Sequence, residues 1–236
     1  MPKRPRYTST EIANKLRHAG RVEDLFKDDL PTPALLVDLD AFESNVAKMA
    51  AHAKKHGKQL RPHAKTHKCV EVARRQKAAG AVGNCMATVP EAVMLAGGGI
   101  DGLLLTSPIV SDVKAAQFAE LAKTAKNLMV AVDHARQIAL WDGAAEAADV
   151  TLGVLVDLNV GDRRTGVEPG EPAATLAQEI TRAKHLRLRG VQAYSGGSSH
   201  VVGFEARREH SKRAMEQAAE TFDLLKHRGL PVEIFS

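Results

Sequence analysis

A cluster of basic side chains in the segment RPHAKTHK, residues 61–68, offers the chemistry of a reactive amine. We predict a short β-strand over residues 59–65, in which period-two alternation places Arg61, His63 and Lys65 on one face. If that face points into a confined interior, the Lys65 amine loses hydration and becomes a nucleophile able to form a Schiff base. A row of cations in an interior also needs an anionic ligand to neutralise it. The alternative interpretation is a solvated basic loop.

Two further segments place polar groups where predicted strands end. In the first, Arg163 and Arg164 lie beside glycines and could hold a carboxylate, phosphate or phenolate oxygen, or simply form a capped turn with exposed charges. In the second, Gln192 and Tyr194 share a strand face and precede a Gly/Ser-rich turn, residues 195–199. The backbone N–H groups of such a turn can bind an anion, although an ordinary loop is the commoner outcome. Together, these groups are typical of a site for an anionic aromatic aldehyde cofactor.

The elements that must position these groups alternate between short apolar runs and longer segments of helical period, which predicts βα units around a parallel sheet. The predicted strands are residues 33–39, 59–65, 82–89, 102–107, 127–133, 150–159, 186–194 and 232–236. Helical patterns between them cover residues 41–56, 70–79, 111–125, 171–184 and 204–227. A closed barrel and an open doubly wound sheet both fit this alternation. The lack of a GxGxxG sequence after the first strand favours the barrel.

Composition limits the class of protein. The 236 residues are 44% hydrophobic and 26% charged, which is typical of a soluble globular domain slightly shorter than the ~250 residues of an eight-fold β/α barrel. The net charge of +5 is spread along the chain without a nucleic-acid-binding motif, so we expect no nucleic-acid partner. The chain lacks an apolar run of ~18 to 20 residues and a signal-peptide core, which predicts a cytoplasmic protein without a membrane partner. Cys69 and Cys85 are interpreted as small buried hydrophobic residues.

Several segments carry a family resemblance. They are TPALLVDLD (32–40), RPHAKTHK (61–68), ATVPEA (87–92), RTGV (164–167) and GVQAY (190–194). Through them the chain, from about residue 30 to residue 236, resembles the D-threonine aldolase and D-serine dehydratase group of alanine-racemase-like, fold-type III enzymes. These enzymes use pyridoxal 5′-phosphate (PLP). The resemblance therefore implies PLP as the cofactor and a TIM-type (β/α) barrel of the alanine racemase N-terminal type as the fold.

The resemblance also implies roles for individual residues. Lys65 is expected to be the catalytic, Schiff-base lysine, Arg164 to contact the cofactor ring or its oxygen, and Tyr194 to lie against the cofactor. His63 and Gln192 fall in matching segments and are further cofactor-binding candidates, without a fixed role.

The same resemblance implies a domain organisation. We expect residues 1–29 to form a polar N-terminal extension and residues 30–236 to form the PLP-binding barrel, incomplete at its C-terminal end. In the family, the run at 33–39 belongs with a C-terminal β-domain, which leaves seven barrel strands here. The eighth strand, a Gly/Ser-rich phosphate loop and the ligands of a divalent metal (Mn, Mg or Zn) are expected beyond residue 236, so no metal ligand is assigned in this chain. The full-length form is expected to be a homodimer.

These expectations predict a PLP-dependent lyase that acts on a small D-3-hydroxy amino acid, by retro-aldol cleavage or by elimination of the β-hydroxyl. An amino-acid racemase of the same fold is one alternative. A non-catalytic PLP-homeostasis protein built on a single barrel is another, although RPHAKTHK differs from the lysine motif of that class. A cofactor-free barrel or basic binding module is the third.

Overall fold

The computed structural model describes residues 7–19, 25–30 and 32–236. Contacts within the chain divide it into two compact units, residues 1–48 and residues 49–236. The predicted boundary between residues 29 and 30 stays a prediction. In the described part of the chain, none of the helices is both long and apolar enough to cross a bilayer.

The first unit contains helix α1 (Ser9–Ala19), a 3₁₀ turn (Lys27–Asp29) and the start of helix α2 (Leu39–Lys55). The strand predicted over residues 33–39 is wrong: residues 34–38 have no regular secondary structure, and Leu35 is 91% exposed. An apolar run forms a strand only where another strand supplies partners for its backbone groups, and residues 34–38 pair with none in the described structure. Instead, Asp38 Oδ1 accepts a hydrogen bond from Ala41 N at 2.9 Å and starts α2.

The second unit is built on a parallel sheet. Its strands in the described residues are β1 (Cys85–Met86), β2 (Leu104–Leu105), β3 (Met129–Val132), β4 (Leu152–Asp157), β5 (Leu186–Gln192) and β6 (Ile234–Phe235). They lie side by side in chain order, and every pairing is parallel. A doubly wound sheet would reverse its strand order at a switch point, so this sequential order is that of a β/α barrel. The predicted incomplete barrel is confirmed as a half-barrel of six parallel strands.

Helix α3 (Val70–Ala78) precedes β1, and each later connection between neighbouring strands contains a helix. These helices are α4 (Val89–Gly97), α5 (Asp112–Leu121), α6 (Ala135–Ala148), α7 (Glu171–Arg182) and α8 (Phe204–His227). The predicted helix over 204–227 has the observed bounds, while those over 111–125 and 171–184 end a few residues earlier than expected.

Side-chain alternation along the strands builds two cores. Cys85, Leu104, Met129 and Leu155, one from each of four neighbouring strands, form a small cluster on the inner face of the sheet. The larger cluster lies between the sheet and the helices and is centred on fully buried side chains such as Trp141. This layering is typical of a barrel wall, and it directs the carboxyl ends of the strands toward one common edge.

The segment predicted as a strand over residues 59–65 is only partly paired. Val82 N donates to Leu60 O and Cys85 N donates to Pro62 O, each at 2.9 Å, but the single bridge is formed by His63. Pro62 has no N–H to donate, which prevents a regular ladder. The chain then turns into a 3₁₀ helix, Ala64–Thr66. Lys65 therefore lies on a turn at the end of the segment rather than inside a strand.

Close approach of β5 and β6 depends on one glycine. Gly190 has a φ of +151°, and a Cβ at this position would overlap the carbonyl oxygen of Ile234. We predict that Gly190→Ala lowers the free energy of unfolding by about 1 to 3 kcal/mol, because β6 must move away. Urea unfolding followed by circular dichroism measures this change.

The matched control is Gly143→Ala on α6, where an added Cβ meets nothing within 4 Å. Because alanine is the better helix former, this variant should gain up to about 1 kcal/mol. Equal stabilities for the two variants would contradict the close approach.

Candidate functional site

A cavity of about 160 Å³ opens at the carboxyl ends of the strands. Its lining includes His63, Lys65, Cys85, Thr106, Arg164, Gln192 and Tyr194. The structure thus brings together all five residues singled out from the sequence: Lys65, Arg164, Tyr194, His63 and Gln192. Their roles remain predictions.

The aromatic ring of Tyr194 is the meeting point of two cations. The guanidinium carbon of Arg164 lies 4.7 Å from the ring centroid, and Lys65 Nζ lies 5.8 Å from the same centroid. Both distances are within the range of cation–π attraction. Tyr194 is half exposed, so the ring presents its surface at the mouth of the cavity.

The turn that carries Lys65 is capped by His63. The Lys65 backbone N–H donates to His63 Nδ1 at 3.2 Å, so Nδ1 acts as an acceptor and the ring proton resides on Nε2. His63 Nε2 then donates to Thr106 Oγ1 at 3.2 Å, and Thr106 Oγ1 donates to Met86 O at 2.9 Å. Burial lowers the pKa of His63, and the positive charge of Lys65 lowers it further. A neutral His63 with both ring nitrogens engaged is suited to fixing the position of Lys65.

Gln192 joins the cavity to a buried carboxylate. Gln192 Nε2 donates to Asp157 Oδ1 at 2.7 Å and to Thr106 O at 3.1 Å, and it thereby links the ends of β2, β4 and β5. Asp157 is only 2% exposed, and burial raises its pKa. The sequence indicated Gln192 but no role was assigned to Thr106 or Asp157, although both lie near the carboxyl ends of the predicted strands 102–107 and 150–159 and were open to the same strand-end argument.

The structure places Arg61 away from Lys65 and buries Cys85 as predicted. Arg61 does not share a site with Lys65: its Nε donates to Gly102 O at 3.1 Å, and it lines a separate cleft with Arg189 and Glu233. The predicted row of three cations is therefore wrong, because the chain departs from strand geometry before Lys65. Burial raises the pKa of the Cys85 thiol to about 11, so this cavity-lining residue stays protonated and is unsuited to nucleophilic chemistry.

The lining suits an anionic aromatic aldehyde better than a metal ion. An amine, a guanidinium and an aromatic face surround one cavity, which matches an aldehyde, an anionic oxygen and a ring. Among the described residues, no three His, Cys, Asp or Glu side chains are grouped so as to hold a metal ion.

Comparison with known proteins gives consistent matches. The family described as "Alanine racemase, N-terminal domain" matches residues 37–236. A 3-hydroxy-D-aspartate aldolase of Paracoccus denitrificans (strain Pd 1222) is 36% identical over 211 residues, which are 89% of this chain and 54% of that protein. A D-threo-3-hydroxyaspartate dehydratase of Delftia sp. (strain HT23) is 29% identical over 210 residues, which are 88% of this chain and 54% of that protein.

A solved structure extends the likeness to the backbone. The D-threonine aldolase of Filomicrobium marinum has a TM-score of 0.85 and 42% identity, over 88% of this chain and 56% of that one. The chain thus spans about half the length of the curated relatives it matches.

The lowered pKa of His63 predicts a pH dependence of stability. As the pH falls, His63 is protonated in the unfolded chain before it is protonated in the folded chain. The contribution of neutral His63 to the free energy of unfolding is therefore complete above about pH 6.5, and it is lost as the pH falls through the lower pKa of the folded state. The melting temperature should therefore decline on acidification. His63→Asn, which keeps a cap acceptor without a titrating group, should weaken that decline.

Melting temperatures of the wild type and of His63→Asn, measured at pH values above and below about 6.5, test this prediction. Burial also lowers the pKa of His67, so part of the decline should persist in the variant. Identical pH profiles for the wild type and His63→Asn would contradict the capping role of a neutral His63.

Proposed function

Since the chain belongs to the alanine racemase N-terminal domain family, we propose that it provides the PLP-binding half-barrel of a lyase that acts on D-3-hydroxy amino acids. The observation that carries the proposal is the approach of Lys65 and Arg164 to one aromatic ring, at the carboxyl ends of parallel strands. PLP is implied by the family. The substrate class is supported by relatives whose names state activity on 3-hydroxy-D-aspartate and D-threonine.

When bound, PLP supplies an aldehyde and a ring that accepts electrons from the substrate. Lys65 Nζ is the amine that would hold the cofactor covalently. Arg164 and Tyr194 would orient its ring, Arg164 by donating to an anionic oxygen and Tyr194 through its aromatic face.

Proton transfer in the proposed reaction falls to Lys65 rather than to His63. His63 Nδ1 is occupied by the Lys65 backbone N–H and Nε2 by Thr106, so His63 cannot take a proton without breaking the cap. The Lys65 amine would be the group that accepts a proton, at Nζ. The hydrogen bond from Gln192 to Asp157 holds the ends of β4 and β5 together.

Retro-aldol cleavage is the reaction we favour, because the two aldolases are more similar to this chain than the dehydratase is. Elimination of the β-hydroxyl is the second candidate, favoured by the dehydratase match. The products separate them: D-threonine gives glycine and acetaldehyde by cleavage, but a 2-oxo acid and ammonia by elimination. The cytoplasmic location, the homodimer and the use of a divalent metal remain proposals.

We predict that PLP attaches to Lys65. After incubation with PLP and reduction with borohydride, mass spectrometry should find the pyridoxyl mass on the peptide that contains Lys65, because this is the amine beside Arg164 and Tyr194. Lys65→Ala should lose that label.

The matched control is Lys68→Ala, which removes an exposed lysine three residues away that pairs with Glu91 at 3.5 Å. This variant should keep the label on Lys65. Equal labelling of Lys65 and of surface lysines in the wild-type chain would sink the proposal.

A further inference from the structure

The Gly/Ser-rich turn after β5 already contains an anion, and that anion is part of the protein. Gly196 N donates to Asp162 Oδ2, and Gly197 N donates to Asp162 Oδ1 at 3.0 Å. Two consecutive backbone N–H groups that converge on one carboxylate form the arrangement that binds phosphate in other proteins. From the sequence, anion binding at this turn was one possibility beside an ordinary loop, and in the structure the Asp162 carboxylate takes the position of the anion.

The loop that presents Asp162 is fixed by its own hydrogen bonds. Asn159 Oδ1 accepts from Gly161 N at 3.2 Å and from Arg163 N at 3.0 Å. Asn159 Nδ2 donates to Glu168 Oε1 at 2.7 Å. These bonds hold Arg163 at a φ of +49°, a conformation that non-glycine residues seldom adopt. The carboxylate of Asp162 therefore extends from an organised loop, and Arg164 leaves the same loop two residues later.

The contact between Asp162 and the turn reaches the ring of Tyr194 through Gly196. A Cβ on Gly196 would lie 2.8 Å from Tyr194 Cε1 and 3.1 Å from Asp162 Oδ2. The edge of the ring and the carboxylate oxygen thus both pack against Gly196. A shift of Asp162 would allow Gly196 to move and would free the edge of the ring.

A second support links the two ends of the turn to helix α8. Ser195 Oγ lies 2.7 Å from Ser198 Oγ, which lies 3.0 Å from His210 Nδ1 on α8. Loss of the Asp162 carboxylate should therefore release Gly196 and Gly197 while this second support keeps Ser195 and Ser198 in place.

We propose that Asp162 is a positioning residue that sets the orientation of Tyr194 at the cavity. Arg164 fixes the face of the ring, and Asp162 fixes its edge through the two glycine N–H groups. The proposal rests on the proposed function in that Tyr194 is taken to lie against PLP. A substitution at Asp162 is then expected to alter the ring position before any ligand is added, and to weaken PLP binding as a consequence.

The chain allows a direct observation of this ring. Tyr7 and Tyr194 are its two tyrosines, so a Tyr7→Phe background labelled with 3-fluorotyrosine gives a single ¹⁹F signal from Tyr194. In this background, Asp162→Ala should move or broaden the signal in the absence of PLP, because Gly196 loses its partner. Equilibrium dialysis should show PLP binding weakened about tenfold, as expected from the loss of two charge-assisted hydrogen bonds.

Two further variants make the test specific. Asp162→Asn keeps the size of the side chain but leaves a single acceptor oxygen, so both effects should be smaller. Asp223→Asn makes the same chemical change at an exposed position on α8 and should leave both readouts unchanged. Melting temperatures near that of the parent protein would separate a positioning effect from a loss of fold.

The results of these experiments test the positioning role of Asp162 separately from the proposed function. An unchanged ¹⁹F signal in Asp162→Ala, or a moved signal with unchanged PLP binding, would overturn the positioning role. Failure of the parent protein itself to bind PLP would overturn the proposed function, whereas the ¹⁹F comparison on unloaded protein would still decide whether Asp162 orients Tyr194.

Discussion

The attraction of two cations to one aromatic ring is the interaction on which the site depends. Arg164 and Lys65 carry like charges and repel each other, yet both lie within cation–π range of Tyr194. Each such contact contributes about 0.5 to 1 kcal/mol at an exposed position, too little to hold two flexible side chains without support from the backbone. The positions of the three residues must therefore come from the surrounding chain.

The fold supplies that support at three strand ends. His63 caps the turn of Lys65 and is itself held by Thr106 after β2. Asp157 at the end of β4 and Gln192 at the end of β5 form a buried hydrogen bond. Because parallel strands in chain order direct their carboxyl ends to one edge, groups distant in sequence meet there.

Much of this could be predicted from the sequence, and the reasons for success and failure are physical. Strand-end reasoning found Lys65, Arg164 and Tyr194, because polar residues after apolar runs form a strong pattern. The prediction of strands from apolar and alternating runs failed at two places. At residues 33–39 the strand-like run has no partner strand in the described structure, and at residues 59–65 Pro62 interrupts the ladder. The link between Asp162 and Gly197 joins positions 35 residues apart and was invisible to periodicity, since local pattern carries no information on such pairs.

A crystal structure of the chain soaked with PLP is the most direct test of whether this cavity binds the cofactor. We expect electron density for PLP that is continuous with Lys65 Nζ and in contact with both Tyr194 and Arg164. Cofactor density attached to another lysine, or lying outside this cavity, would contradict it.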